Sequence, residues 1–520
     1  MTQPVLLVAG LAASIALAII AKRIQLPYPV VFVAAGTALA FVPNLPPVHI
    51  APDWIFLAVL PPLLFSAGWD TDWTMFRNNL RPILQLAIGL VVLTTVAVTA
   101  LTIHVLPALG FAAAFVLGAI VSPTDAVAAG ETFTRFSIPR RIAAIVEGEG
   151  LINDATALVI YGNAVGAAAA ITFSASGAVA SFIAVSIGGI IIGAIVAWIV
   201  ETISRKLDHF GLSDSLIDNL LLIGAPYAAY LCGQAAHVSG VLAVVVAGIT
   251  LSRRSSVVYG PQTRLIAWNV WSLWIFLLNA YIFLALGLQL RTFVRGGAAF
   301  FSMLPAALEI SAVVIAVRLL WVFPVAWLSR LFPGVRRADP MPQASYLALI
   351  GWTGMRGIVS LAAALALPNN FPHRESIVFI TFVVIFVTLV GQGITLEPVL
   401  KLLHIGTESE DYRREVQIRL EALRAGVRRI DELARRNEDS HTAKDIDRLR
   451  GEYENRMEHL QYQLRSKKRL ENFGAHTYVE QEALRAERNA VMQMRDRGEI
   501  PDESFRSIQY DLDLAESRLS

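Results

Sequence analysis

One cysteine, Cys232, is all the thiol this 520-residue chain has, which excludes an intrachain disulfide and any multi-thiolate metal site. Charge is also scarce. Asp, Glu, Lys and Arg make up 16% of the residues and 55% are hydrophobic, whereas a soluble protein carries about a quarter charged. The charge that is present gathers at one end. Residues 1–400 hold only 20 of the 43 basic and 16 of the 41 acidic residues, so the chain is a long apolar block followed by a highly charged tail. The net charge of +2 averages two unlike regions. No basic n-region precedes the first apolar run, Met1 to Ala21, and no cleavage site follows it, so this run is expected to be a membrane span rather than a removed signal.

Apolar runs of ~20 residues can cross a ~30 Å hydrocarbon core as helices. Thirteen are expected, at 4–21, 28–43, 51–68, 82–106, 108–130, 141–166, 175–202, 215–233, 237–252, 265–288, 299–329, 344–367 and 376–402. The fold class is therefore an all-α membrane protein of about 13 transmembrane helices. A transmembrane domain over 1–403 precedes a cytosolic helical domain over 404–520.

The loops between these runs are asymmetric in basic residues. Lys22, Arg23, Arg77, Arg81, Arg135, Arg140, Arg141, Arg205, Lys206, Arg253, Arg254, Arg264, Arg330, Arg336 and Arg337 fall on one side, and only Arg291, Arg295 and Arg374 on the other. Positively charged loops stay in the cytoplasm. The N-terminus is expected outside and the tail inside, across a plasma (inner) membrane, with an odd number of spans.

Two runs are interrupted. The fifth breaks at Ser122-Pro123-Thr124-Asp125, and the twelfth at Gly351-Trp352-Thr353-Gly354-Met355-Arg356-Gly357. They lie seven spans apart and so run in opposite directions. Broken helices at corresponding positions of inverted halves point to a transporter's midplane site, because unwound backbone at that depth survives only where it lines a cavity or is buried in protein.

Ionisable groups cluster around these breaks. Asp154 lies ~20 Å from the cytoplasmic start of the sixth span at the helical rise, near the bilayer middle, where a carboxylate is costly and functional by default. Pairing with a base elsewhere is the plainer alternative. Asp125 could be a ligand, or it could cap the half-helix after the break. Glu149 and Asn153 share a helix face, as do Gly150 and Asp154. Glu149 is the expected partner of Arg356, in a buried ion pair that fixes the sixth span against the twelfth. Glu147 belongs nearer the cytoplasmic mouth, in an entry funnel. Arg318 and Glu309, in the eleventh span, suit structure or gating better than ion ligation. His237, Cys232 and the row Trp268, Trp271 and Trp274 carry no assigned chemistry; such a row marks an interfacial belt or a helix contact.

The strings Leu60-Pro61-Pro62-Leu63-Leu64-Phe65, Val121-Ser122-Pro123-Thr124-Asp125, Glu149-Gly150-Leu151-Ile152-Asn153-Asp154 and Gly354-Met355-Arg356-Gly357 resemble the cation:proton antiporter-1 family in its bacterial, NhaP-like form, over roughly residues 1–400. The resemblance implies a homodimeric sodium/proton exchanger, not an enzyme, needing no cofactor. A dimerisation domain would hold a mobile six-helix core that moves by an elevator-like step. It carries over Asp154 as the carboxylate that alternately binds cation and proton, Thr124 and Asp125 as the unwound-helix part of the Na+ site, and Glu149 with Arg356 as the stabilising pair. Asn153 in place of a second aspartate resembles the electroneutral, one-for-one branch. Two positions depart from the pattern: Ser66 stands where several relatives have an acid, and Gly150 where several have serine.

The partners implied are small monovalent cations, protons and the lipid bilayer, with no nucleic acid. The rival readings are a potassium/proton antiporter of the same fold, a sodium-coupled solute symporter, and an intramembrane aspartyl protease using Asp125 and Asp154. The last lacks a Gly-x-Gly-Asp-type signature. In the tail, Val416, Leu420, Leu423, Val427 and Ile430, then Tyr453, Met457, Leu460 and Leu464, keep a 4-3 spacing that suits a helical hairpin or a short coiled coil between subunits. A solvated appendage is the alternative, and no phosphate loop, zinc pattern or basic run is evident there.

Overall fold

A backbone in hydrocarbon must satisfy its own hydrogen bonds, and a helix does so within one segment. In the computed structural model a helix occupies each of the thirteen apolar runs. The structure describes residues 3–42, 54–126, 129–130, 133, 138–170, 175–295, 301–331, 333, 339, 341–405, 409–436, 440–465, 473–497 and five positions between 508 and 515. Arg135, Arg336 and Arg337 lie outside the described residues.

In chain order the helices of eight residues or more are α1 (Gln3–Ile24), α2 (Tyr28–Leu39), α3 (Ile55–Asp70), α4 (Leu80–Val105), α5 (Gly110–Val121), α6 (Arg140–Ala170), α7 (Ala175–His209), α8 (Ser215–Ala235), α9 (Gly240–Val258), α10 (Pro261–Leu288), α11 (Leu304–Ser329), α12 (Ala344–Trp352), α13 (Ile358–Leu365) and α14 (Arg374–Leu402). Among the described residues, seven helices are long and apolar enough to cross a membrane alone, in α4, α7, α8, α9, α10, α11 and α14; α2, α3 and α5 belong to shorter apolar helices. The chain divides into two compact units, Met1–Thr407 and Glu408–Ser520.

Within the first unit small residues let helices approach closely, as they do in lipid, where hydrophobicity cannot drive association. A Cβ on Gly36 of α2 would lie 2.2 Å from the Leu284 carbonyl of α10, and one on Gly193 of α7 would lie 2.3 Å from the Ala243 carbonyl of α9. Two apolar cores result. One is built mainly on α2, α4, α5 and α11 to α14, and the other on α7, α8 and α9; α3, α6 and α10 contribute to both. The tryptophan row divides accordingly. Trp271 is buried and stacks on Phe65 at 5.1 Å, while Trp268 and Trp274 are exposed.

The second unit contains α15 (Ser409–Arg436), α16 (Ser440–Arg465) and α17 (Phe473–Asp496). Val416, Leu420 and Ile430 are buried, and the Tyr453 ring lies where a side chain on Gly426 would stand. The 4-3 seam thus closes α15 on α16 within one chain, as a hairpin.

Candidate functional site

α5 stops at Val121 because Pro123 cannot continue a helix and restricts the residue before it. Residues 122–125 run without helix to Asp125. On the other side of the molecule's middle, α12 ends at Trp352 and α13 begins only at Ile358. The two breaks touch: the Asp125 amide donates to the Met355 carbonyl at 2.7 Å. The Asp125 carboxylate lies on Gly357, where a Cβ would fall 1.7 Å from its Oδ2. The glycine of the Arg-Gly pair is therefore required by the crossing itself.

The expected Glu149–Arg356 pair is not formed. Glu149 takes Arg318 of α11 instead, Nη1 on Oε1 and Nη2 on Oε2 at 2.7 Å, with both side chains buried. Gly354 leaves the room for this, since a Cβ there would meet Arg318 Cδ at 2.4 Å. Arg318 Nε also donates to the Ile350 carbonyl at 3.0 Å, near the end of α12.

Arg356 has a different task. Its Nε donates to the Val121 carbonyl at 3.0 Å, Nη2 to Ser122 at 3.5 Å, and Nη1 to Gly354. The carbonyls where a helix ends lack intrahelical partners and carry partial negative charge. Arg356 satisfies them where both helices stop, and its own amide donates to Thr388 Oγ1 of α14 at 3.1 Å. A carboxylate partner was the simpler reading from sequence; the unwound carbonyls compete for the guanidinium and win.

The Glu149 pair continues toward Asp154. Thr124 Oγ1 donates to Glu149 Oε1 at 2.9 Å, and Asn153 Nδ2 donates to Thr124 Oγ1 at 2.7 Å and to the Thr124 carbonyl at 3.1 Å. A hydroxyl has one proton and two lone pairs, so Thr124 retains one lone pair for any further ligand. Asn153 is fully buried, and its Oδ1 has no hydrogen-bond partner among the described residues.

Asp154, half-buried, opens into a cavity of about 270 Å³ that is also lined by Thr124, Asp125, Gly150, Glu147 and Asp70. The cavity thus takes Thr124 and Asp125 from the first break, Gly357 from the second and Glu147, Gly150 and Asp154 from α6, while Asn153 reaches it only through Thr124. Gly150 brings α6 against the segment after the break, since a Cβ there would stand 2.9 Å from Ala126 Cβ. Ser66 is drawn to Asp70, with its hydroxyl 3.4 Å from Oδ2. Asp70 was not anticipated from sequence. The available signal was its position one turn after Ser66 on α3, which returns a carboxylate to the helix that lacks one at 66.

The chain is 30% identical to the uncharacterized Na(+)/H(+) exchanger YjcE of Escherichia coli, over 95% of this chain and 94% of that one. It is 32% identical to the sodium, potassium, lithium and rubidium/H(+) antiporter of Bacillus subtilis, over 93% of this chain and 73% of that one. Its fold resembles that of the sodium proton antiporter MjNhaP1 of Methanocaldococcus jannaschii, with a TM-score of 0.60 at 18% identity, covering 76% of this chain and 97% of that one. Residues 10–402 match the family described as "Sodium/hydrogen exchanger, transmembrane", and the chain belongs to that family of multi-pass membrane antiporters.

Proposed function

We propose that this protein exchanges a monovalent cation, Na+ or Li+, for H+ across the plasma membrane, with Asp154 as the group both ions share. The observation that carries this is Asp154 lining, with Asp70, Asp125 and Glu147, one cavity where two broken helices cross. A carboxylate in such a cavity is desolvated, which favours the proton, while a bound cation favours the charged form. The two ions therefore compete for one site. Either occupant brings the site near neutrality, and a neutral site crosses the membrane barrier more easily than an empty charged one. Exchange becomes obligatory without a separate proton path.

Hard oxygen ligands suit a small alkali cation. Thr124 and Asp125 supply them beside Asp154, and Arg318, Glu149 and Asn153 hold Thr124 in place. With one exchanging carboxylate and an amide at 153, the stoichiometry is one for one. The protein works as a homodimer with thirteen crossings, its N-terminus outside and the tail of residues 404–520 in the cytoplasm. Potassium is the second cation to consider. The relative from Bacillus subtilis is named for four alkali cations, and Ser66 and Gly150 add few ligands here.

The test is cation-driven proton movement in proteoliposomes holding the full chain, comparing sodium, lithium and potassium across pH. Asp154→Asn is expected to abolish it for every cation. Undiminished exchange in that variant refutes the assignment.

A further inference from the structure

A second cavity, of about 650 Å³, opens on another face of α6. Its walls are mostly apolar, with Ile88 of α4, Ile152 of α6, Phe182 and Ile190 of α7, and Val246 and Ile249 of α9. Thr156, Ser186 and Thr250 also line it, but no carboxylate does, so it does not extend the exchange site.

One end of the groove differs from the rest. Trp73, Arg253 and Arg254 line it there. Arg254 is engaged, with Nη1 2.8 Å from both oxygens of Glu201, and Arg205 takes the same carboxylate at 2.8 Å. Arg253 makes no ion pair among the described residues. Its guanidinium rests over the Trp73 ring, 5.0 Å from the centroid, and is exposed. Arg205 and Arg254 share Glu201, so Arg253 is the cation that this end of the groove presents without an ion pair among the described residues.

The length of the groove also discriminates. It runs along α9 from Leu242 to Arg253, roughly 16 Å at the helical rise. That is about half of the ~30 Å hydrocarbon core, the depth of one leaflet. A slot one leaflet deep, mostly apolar along its walls and cationic at its interfacial end, has the shape and polarity of a phospholipid. Basic pockets between membrane helices on the cytoplasmic side recognise anionic headgroups.

We propose that this groove binds an anionic phospholipid, with the phosphate on Arg253 and an acyl chain lying along α9 against Ile152 of α6. The orientation proposed above places it in the cytoplasmic leaflet; the match of headgroup to Arg253 and chain to groove does not depend on that orientation. The lipid would press on the helix that carries Asp154, from a face other than the one that meets the ion.

Trp73 is a built-in reporter. The full-length protein is reconstituted in phosphatidylcholine vesicles containing a graded fraction of brominated phosphatidylglycerol or brominated phosphatidylcholine. The Trp73 component of the fluorescence is taken as the difference from Trp73→Phe. Half-quenching of that component is expected at about fivefold less phosphatidylglycerol than phosphatidylcholine, the ratio one well-placed cation confers. Arg253→Gln is expected to remove the preference and leave quenching by both lipids, whereas Val246→Phe, which narrows the groove, reduces quenching by both. Equal half-quenching fractions in the unmodified protein overturn the proposal, as does a preference that survives Arg253→Gln. If Arg253→Gln does not fold, Val246→Phe decides, and unchanged quenching in it overturns the groove as the site. Sodium–proton exchange is not the readout, so failure here leaves the assignment of Asp154 standing.

Discussion

Arg318 and Glu149 meet through two parallel contacts while being 0% and 1% exposed. This pair, rather than one with Arg356, ties α6 to α11. Arg356 lies close by and is fully buried, so Glu149 is the carboxylate set against two buried guanidinium groups. Breaking such a pair by removing one partner costs about 3–5 kcal/mol, because the remaining charge is left buried. Glu149→Gln is expected to lower the thermal midpoint of the purified protein accordingly, while replacing Glu149 and Arg318 together by methionine recovers much of the loss. Melting of Glu149→Gln at the unmodified temperature would show that the pair does not hold the fold.

The all-helical architecture was legible because its signals are periodic and additive: apolar run lengths, and proline or clustered glycine where two of those runs break. The positions of Asp125, Asp154 and the two breaks could be read from the chain, since proline and clustered glycine interrupt helices wherever they fall. Which arginine meets Glu149 could not. Arg318 of α11 and Arg356 in the break between α12 and α13 are both buried cations, and the choice depends on the free carbonyls of Val121, Ser122 and Gly354, which exist only once both helices have stopped. Asp70 escaped for a related reason. It joins Glu147 and Asp154 in one cavity through the packing of α3 on α6, and no spacing within the chain records that.

Asn153 offers a test of why an amide stands beside Asp154. Its Nδ2 donates to both the carbonyl and the hydroxyl of Thr124, and the Thr124 proton is already given to Glu149. An aspartate at 153 would set a carboxylate oxygen against two acceptors. Asn153→Asp is therefore expected to destabilise the protein by about 1–3 kcal/mol, the cost of unpaired buried polar groups, and to impair exchange rather than convert it to two protons per cation. The measurements are thermal unfolding and the reversal potential of proton movement. A stable variant with doubled proton stoichiometry would show that the amide alone sets the ratio.

Gly357 is the tightest point of the crossing. A methyl group there overlaps the Asp125 carboxylate, at 1.7 Å from Oδ2 and 2.5 Å from Cγ. Gly357→Ala must displace Asp125 by an ångström or so. Displacements of that size in positioned sites cost on the order of 100-fold in rate, so exchange is expected to fall steeply while the protein remains in the membrane. Gly150→Ala, whose Cβ approaches Ala126 Cβ at 2.9 Å, is expected to do less harm, and Ala126→Gly should relieve it. Exchange at the unmodified rate in Gly357→Ala would mean that Asp125 is not held in place by the second break.

Asp339 lies outside the membrane-spanning helices and gathers three arginines, with Arg81 at 2.8 Å, Arg141 at 2.6 Å and Arg330 at 2.6 Å. It thereby links the starts of α4 and α6 to the end of α11, and Arg141 is further held by Asn79 Oδ1 at 2.9 Å. Burial pushes the Asp339 carboxyl up; the hydrogen bonds and charges of Arg141 and Arg330 outweigh this and hold it below the usual carboxylate range. A group with a lowered folded value contributes its stability in full above the unfolded value, ~4 for aspartate, and loses it as the pH falls through the folded value. The difference in thermal midpoint between the unmodified protein and Asp339→Asn is therefore expected to be constant from neutral pH down to about 5. Below that it shrinks as the carboxyl takes up its proton and the three arginines lose their anion. A gap that stayed the same down to about pH 2, well below the ordinary range, would show that the arginines hold Asp339 by its shape and not by its charge.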